Sequence, residues 1–293
     1  MTAAPLRTGS AAPSRPAALH GRALAVLVGA VLALAAAFVL APRPLAATGP
    51  GDDFGEAGEL TGAFREAFVA YWSAGERRFP PDLDRIVDYW SRYHVAKGVI
   101  AAMLLTVLIA LGVLLWKAFL KAEGLGAGKR LSLAAGGVLT TLLALLSLAA
   151  VMANVQGAAA PFASLLPMLP TGAADGELAG VLAQVGGRLT LTPSEVDQNP
   201  PALDAMVGDF ARYHEAMAVI AATVAVGLVL LSALAWKRFR RTAPADRRTR
   251  RTLGSFGVLW ALVALFALVV AVANTTTAAD PRPALLAFFE GGW

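Results

Sequence analysis

Two histidines at equivalent positions are the residues of this chain best suited to bind a cofactor. His94 and His214 each end an Arg-Tyr-His tripeptide, whereas the third histidine, His20, lies in the N-terminal head. Imidazole nitrogens ligate haem iron, copper and zinc. If the two histidines face one another across a centre, they supply the axial ligands of haem b or two ligands of a copper ion. The residues alone do not identify the metal.

A structural role competes with the cofactor role. Both histidines stand at the edge of an apolar segment, where aromatic and polar side chains often mark a membrane interface. Small residues follow each histidine at four-residue spacing, which predicts that both rings face a neighbouring helix rather than lipid. These residues are Gly98, Ala102, Ala218 and Ala222. An interfacial polar pair, a ligand-binding role and a proton-handling role therefore stay open beside haem or metal ligation.

Six further polar or aromatic residues are predicted to line a ligand site together with the histidines. They are Tyr93, Tyr213, Asn154, Asn274, Lys97 and Glu215, with Trp90 and Phe210 as further walls. Asparagine is also a common helix terminator, so the two Asn side chains have an alternative structural role. Lys97 and Glu215 break the duplication described below, and charges inside apolar segments are costly. We expect them either to form an ion pair or to extend separately to the interface.

An internal duplication positions these candidate residues. Residues 80–167 align with residues 200–287 at a constant offset of 120 without a gap, and 35 of the 88 aligned pairs are identical. The identities include the Pro-Pro pairs that begin each copy, both Arg-Tyr-His tripeptides, both Trp-Lys pairs, and Asn154 with Asn274. Any site is therefore expected where the two copies meet.

The composition predicts a membrane protein. Hydrophobic residues make up 57% of the chain and charged residues 15%, against roughly 25% charged residues in soluble domains. Five segments are apolar over the length of about 20 residues that a bilayer crossing takes. They are residues 23–41, 95–116, 131–153, 216–236 and 253–273. Because lipid cannot satisfy irregular backbone, these segments are predicted to be helices.

The predicted fold class is therefore an all-α integral membrane protein. Each copy of the duplication carries two apolar segments, which predicts a four-helix transmembrane bundle made from two tandem parallel two-helix repeats. Residues 23–41 form a fifth membrane segment outside the repeat. This segment is either a signal anchor or a signal peptide that is cleaved after Leu45-Ala46-Ala47.

The charges predict an orientation. The stretches 1–22, 117–130 and 237–251 hold 15 Lys and Arg against two acids, whereas 42–93, 155–212 and 275–293 hold nine Arg against 17 acids. The positive-inside rule then gives a multi-pass cell-membrane protein with a cytoplasmic N-terminus and an extracytoplasmic C-terminus. The basic run 237–251 either attracts anionic lipid headgroups or only fixes this orientation.

The same features divide the chain into seven parts. We expect a basic, disordered cytoplasmic head followed by the anchor or signal peptide, an extracytoplasmic linker with an amphipathic helix, the first copy, an extracytoplasmic segment, the second copy and a short extracytoplasmic tail. In this order the parts are residues 1–22, 23–41, 42–79, 80–167, 168–199, 200–287 and 288–293.

Composition and motifs exclude several functions. The chain has no cysteine, which excludes disulfides, thiolate metal sites and cysteine catalysis. It carries no phosphate-binding loop, no nucleophile–base set and no nucleic-acid module. In hydropathy and Ala-rich composition it resembles many bacterial multi-pass membrane proteins, a resemblance that implies no activity.

Three functions are compatible with these observations. The first is a non-enzymatic accessory, scaffold or binding protein that meets another membrane or extracytoplasmic protein through its extracytoplasmic helices. The second is a haem- or metal-binding redox protein that uses His94 and His214. The third is a small transporter, or a binder of an apolar ligand, at the interface of the two copies. In each of them the lipid bilayer is a partner and nucleic acid is not.

Overall fold

The described part of the chain is helical. A computed structural model describes residues 16–48, 54, 57–122, 124, 126–170, 176–191 and 199–292, and leaves out the side chains of residues 16–20 and 57. Most of the predicted disordered head, and the linker residues 49–53, lie outside this description. Ten α-helices and one short 3-10 turn follow one another in the described residues.

Five of the helices are much longer than the rest. In chain order the α-helices are α1 Pro16–Leu40, α2 Pro42–Ala46, α3 Ala57–Ala74, α4 Pro81–Leu120, α5 Ala127–Ala159, α6 Pro161–Leu165, α7 Gly176–Leu189, α8 Pro201–Arg241, α9 Arg247–Ala279 and α10 Pro281–Phe289. By length and composition, α1, α4, α5, α8 and α9 can each cross a membrane. The predicted all-helical class is confirmed, and the five helices are consistent with a multi-pass transmembrane protein.

Proline marks the residues at which α4 and α8 begin. Pro81 and Pro201 each occupy a first helical position, where a missing N–H costs nothing. No proline interrupts α4, α5, α8 or α9 after their first turns. A helix of 40 residues, such as α4, is about 60 Å long, roughly twice the hydrocarbon thickness of a bilayer. The predicted segment 95–116 is therefore one part of a longer continuous helix, most of whose additional residues precede it.

The helices of the two copies begin at equivalent residues. α8 begins 120 residues after α4, and α9 both begins and ends 120 residues after α5. α4 packs along α5 to form one hairpin, and α8 packs along α9 to form the other. The two hairpins meet mainly through α5 and α8, while α1 packs on α4.

Small side chains allow the close contacts within each hairpin. Gly98 and Gly112 of α4 lie against Asn154 and Thr140 of α5, and Gly137 lies under the Trp116 ring. In α9, and in α8 after Phe210, the buried positions are all Ala, Ser or Gly except Leu228. Between helices in lipid, such residues permit the backbone approach on which van der Waals packing depends.

The main core lies at one end of the long helices. We name this end the cap: α2, α3, α6, the 3-10 turn Leu166–Met168, α7, α10, and residues 81–90 and 201–210 of α4 and α8. Among the described residues, 11 of the 12 largest fully buried side chains belong to the cap, and only Leu108 lies elsewhere. We name the opposite end, residues 117–130 and 237–251, the loop end.

Aromatic rings fill the centre of the cap. The Phe162 ring centroid lies 4.9 Å from that of Phe79, 5.7 Å from that of Tyr71 and 6.4 Å from that of Phe64. The Tyr71 hydroxyl donates a hydrogen bond to the Ala202 carbonyl at 3.0 Å. Burial raises the pKa of Tyr71 to about 12, so the phenol is neutral and keeps its donor at ordinary pH.

Truncation of Phe162 is expected to show where the stability resides. Phe162→Ala removes a fully buried ring and should lower the free energy of unfolding in detergent by about 3–5 kcal/mol. The control is Phe266→Ala on α9, whose ring is 69% exposed and whose loss should change that free energy by no more than about 0.5 kcal/mol. Equal losses in chemical denaturation curves would contradict a core centred in the cap.

Candidate functional site

Each histidine is hydrogen-bonded to the asparagine of its own hairpin. His94 Nδ1 lies 3.0 Å from Asn154 Oδ1, and Asn154 Nδ2 donates to the Ala150 carbonyl one turn earlier in α5. Because the amide nitrogen is used by that carbonyl, Oδ1 is the acceptor and His94 Nδ1 carries the proton. The neutral ring then has its lone pair on Nε2.

The second hairpin repeats this arrangement. His214 Nδ1 lies 2.8 Å from Asn274 Oδ1, and Asn274 Nδ2 donates to the Val270 carbonyl. The site residues predicted from sequence are thus brought together in pairs, one His with one Asn. Each pair joins the two helices of one hairpin, and the bonds described for the rings do not run between hairpins.

Aromatic side chains surround each histidine. Trp90 and Tyr93 stack on each other at 4.9 Å and contact the His94 ring edge-to-face at 4.8 and 5.9 Å between centroids. Phe210 and Tyr213 contact His214 in the same way at 4.6 and 5.6 Å. The four aromatic residues predicted beside the histidines thus pack directly on the imidazole rings.

Gly157 of α5 distinguishes the first histidine from the second. A Cβ atom at this position would lie 2.6 Å from both Cε1 and Nε2 of His94. The edge of the ring that bears Nε2 is therefore pressed against the α5 backbone, and Nε2 is buried without a hydrogen-bond partner in the described part of the chain. The equivalent residue of the second copy is Thr277.

The ion pair that was one of the two alternatives for Lys97 and Glu215 is not found among the described residues. Lys97 Nζ lies 4.8 Å from the centroid of the Phe38 ring in α1 and 5.3 Å from that of Tyr93. Glu215 is exposed on α8, and the ion pairs found among the described residues do not include it. Cation–π contact with α1 replaces the expected contact between copies.

Two other side chains join the hairpins near the histidines. Gln156 of α5 is buried, and its Nε2 donates to the Tyr213 carbonyl of α8 at 3.1 Å. Asp209 of α8 accepts a hydrogen bond from the Ala163 backbone N–H of α6 at 2.9 Å. Neither residue is predicted from the sequence as part of a site, although each breaks the repeat: their counterparts are Thr276 and Tyr89.

The geometry of the two rings bears on what they can ligate. In each ring Nδ1 is held by an amide oxygen and Nε2 is left as the potential ligand atom, which is the usual arrangement of metal-bound histidines. The Nε2 edge of His94, however, faces Gly157 of α5, and α5 is the helix that separates α4 from α8 in the packing. Within the described residues, no cluster of three or more His, Asp or Glu side chains is arranged to hold a metal.

A methyl group at Gly157 is expected to disturb the His94 pair. Gly157→Ala places its Cβ against the ring, and should lower the free energy of unfolding by about 1–3 kcal/mol. The loss of unfolding free energy that Gly157→Ala causes should be smaller in a His94→Ala background, because the ring is then absent. Thr277→Ala, at the equivalent position of the second copy, should change stability by about 0.5 kcal/mol or less. A Gly157→Ala loss that is unaffected by His94→Ala would contradict the packing described here.

Comparison with known proteins does not assign the chain to a family. No family model matches it, no curated protein matches it, and no solved structure matches it. A function must therefore be inferred from the residues and contacts of the chain itself.

Proposed function

We propose that this chain is a multi-pass membrane protein of accessory, scaffold or binding type, which presents the cap to a partner protein outside the cytoplasm. The observation that carries this proposal is the location of the core. The largest buried side chains of the described residues gather in the cap, and the exposed large hydrophobic side chains lie on the five long helices, with Leu45 as the one exception. In this proposal lipid covers the exposed hydrophobic side chains of the long helices, and the folded cap projects above the membrane surface.

The charges support this orientation. The loop end carries 12 of the 25 Lys and Arg of the chain against two acids, whereas the other acids concentrate in the stretches that form the cap. By the positive-inside rule the loop end faces the cytoplasm and the cap faces outward. The ion pairs of the described residues, Arg77–Asp204, Arg85–Asp82 and Arg212–Asp209, all lie at the cap end.

The four long helices of the duplication form, in this proposal, a bundle of two parallel hairpins related by an axis along the membrane normal. The equal offset between helix bounds and the repeated His–Asn pairs support such an arrangement. Two crossings per copy give both copies the same orientation in the membrane.

The first helix is proposed to be a retained anchor instead of a cleaved signal peptide. Ala46, at the expected cleavage site, is fully buried in the cap core. Its carbonyl accepts a hydrogen bond from Arg92 Nε at 2.9 Å, and Phe38 contacts Lys97. A segment with this many contacts to α4 is part of the fold.

The surface proposed for the partner is a groove between α7 and α10. Its volume is about 420 Å³, and it is lined mainly by small residues of α7, among them Ala179, Ala183 and Gly187, with Leu286 and Phe289 opposite. Small residues at helical spacing let a second helix approach closely. The fitting occupant is therefore an apolar helix of the partner protein.

The redox function stays a prediction. His94 and His214 keep Nε2 as a potential ligand atom for haem b or copper, but the packing of His94 on Gly157 favours a structural role for that ring. The two His–Asn pairs then have a structural role. They satisfy the hydrogen-bonding atoms of their own side chains and join two helices in a region where lipid offers no hydrogen bonds.

Cysteine labelling tests both the orientation and the anchor. The chain has no cysteine of its own, so Glu76→Cys, in the connection between α3 and α4 beside the cap, and Arg240→Cys at the loop end, both exposed, give single labelling sites. In intact cells a membrane-impermeant maleimide should label Glu76→Cys, and should label Arg240→Cys only after permeabilisation. If the variants carry an N-terminal tag and α1 is retained, the label and the tag should be found in the same band on a denaturing gel.

The two parts of this experiment fail separately. Labelling of Arg240→Cys in intact cells, with no labelling of Glu76→Cys, would overturn the orientation. A labelled chain that has lost the tag would overturn the retained anchor and leave the orientation intact.

Photocrosslinking tests the partner. A photoreactive phenylalanine analogue at Ala183, in the groove, should give one discrete protein adduct in native membranes. The same analogue at Ala70, exposed on α3 outside the groove, should give none. Gly187→Trp, which fills the groove, should reduce the Ala183 adduct about tenfold. Absence of a discrete adduct at Ala183, or equal adducts at both positions, would refute the proposed surface.

A further inference from the structure

A second cleft opens between the two hairpins near the loop end. It has a volume of about 450 Å³, and side chains of α4, α5, α8 and α9 all line it. This volume falls within the roughly 300–1,000 Å³ of small-molecule pockets. The cleft lies far from the cap, at the opposite end of the long helices, and the partner groove does not contribute to it.

The cleft changes from apolar to cationic along its length. Its lining contains Leu108 of α4 and Leu231 of α8, whereas Lys117 and Arg238 line it where the same two helices approach the loop end. From Leu231 to Arg238 the helix rises about 10 Å. The apolar part of the cleft and its two positive charges are therefore separated by a distance comparable to the thickness of the headgroup region of one membrane leaflet.

Two of the polar side chains that line the cleft, Trp116 and Thr141, are hydrogen-bonded within the protein. Trp116 Nε1 donates to Thr141 Oγ1 at 3.2 Å, and that hydroxyl donates to the Gly137 carbonyl at 2.8 Å. Phe256 packs edge-to-face on Trp116 at 5.1 Å between centroids. The inner lining thus favours an apolar occupant over a polar one.

The two cations at the mouth are free for a ligand. No carboxylate of the described residues pairs with Lys117 or Arg238. Neighbouring arginines are used differently: Arg248 donates to the Phe119 carbonyl, and Arg250 donates to the carbonyls of Phe239 and Thr242. These bonds satisfy helix ends, while Lys117 and Arg238 have no such partner in the structure.

We propose that this cleft binds one anionic phospholipid, with an acyl chain against the apolar lining and the headgroup phosphate between Lys117 and Arg238. Charge complementarity selects the lipid, because a zwitterionic headgroup brings no net negative charge to two unpaired cations. The apolar lining selects a lipid over a free phosphate ion. This site is independent of the partner proposed for the cap, and either proposal can fail without the other.

The duplication supplies a matched control for the two cations. Lys237 is the counterpart of Lys117 in the second copy, yet it does not line the cleft. Arg240, also exposed at the loop end, lies outside the cleft as well. The double variants Lys117→Ala/Arg238→Ala and Lys237→Ala/Arg240→Ala therefore remove the same charge from the same end of the protein, but only the first removes it from the cleft.

The experiment measures thermal unfolding of the full chain in maltoside micelles with added phosphatidylglycerol, phosphatidylcholine or inorganic phosphate. Phosphatidylglycerol should raise the Tm of the wild type in a saturable way, whereas phosphatidylcholine and phosphate should not. In Lys117→Ala/Arg238→Ala the apparent affinity for phosphatidylglycerol should fall about 10- to 30-fold. In Lys237→Ala/Arg240→Ala it should stay within about twofold of the wild type.

A third variant tests the apolar part without changing a charge. Val113 lines the cleft and is 46% exposed, so Val113→Trp fills space without disturbing a buried core and should also abolish the Tm rise with phosphatidylglycerol. Equal losses in the two charge variants would overturn the site in favour of general attraction to a basic surface. A Tm rise with inorganic phosphate alone, or a normal response of Val113→Trp, would overturn the acyl-chain cleft.

Discussion

The aromatic core around Phe162 is the interaction on which the rest of the structure depends. Long apolar helices gain little hydrophobic free energy from one another in lipid, because the lipid chains are as apolar as their side chains. In the described residues most of the largest fully buried side chains accordingly lie in the cap, and many buried positions of the long helices beyond it are Gly, Ala or Ser. The cap gathers residues of seven α-helices and the 3-10 turn into one cluster. The short helices thereby fix the relative positions of the two hairpins, whose direct contact is chiefly α5 against α8.

The duplicated halves differ where they meet. Several residues that work inside a hairpin are shared between the copies: the His–Asn pairs, and Trp116 and Trp236 over Gly137 and Gly257. Three residues that join different parts of the molecule are not shared. Gln156, Asp209 and Lys97 have Thr276, Tyr89 and Met217 as counterparts, and each makes a contact that one copy alone requires. These differences between the two copies are therefore explained by the asymmetric packing of the two similar hairpins on each other and of α1 on one of them.

Polar side chains within the long helices are mostly satisfied at short range. Asn154 and Asn274 each bond to a carbonyl one turn back and to a histidine across the hairpin. Ser147 and Ser232 donate to carbonyls of the neighbouring helix. Such bonds keep polar atoms away from hydrocarbon, where an unmade hydrogen bond is costly. Lys117 and Arg238 differ, since they are cations beside an apolar cleft with no carboxylate partner in the described residues, and this contrast singles out the loop-end cleft.

The sequence by itself determined the helical class, the five long apolar segments, the offset of 120 and the choice of His94, His214, Asn154 and Asn274 as a related set. These follow from hydropathy, proline positions and identity between copies, which are local or pairwise properties of the chain. Tertiary structure alone decided that each histidine pairs within its hairpin, that Lys97 meets Phe38 of α1, and that Gly157 presses on His94. Those outcomes depend on which helix lies beside which and on rotation about helix axes. Periodicity fixes the face that a side chain occupies, but many partners fit one apolar or small-residue face, and only the packed structure selects among them.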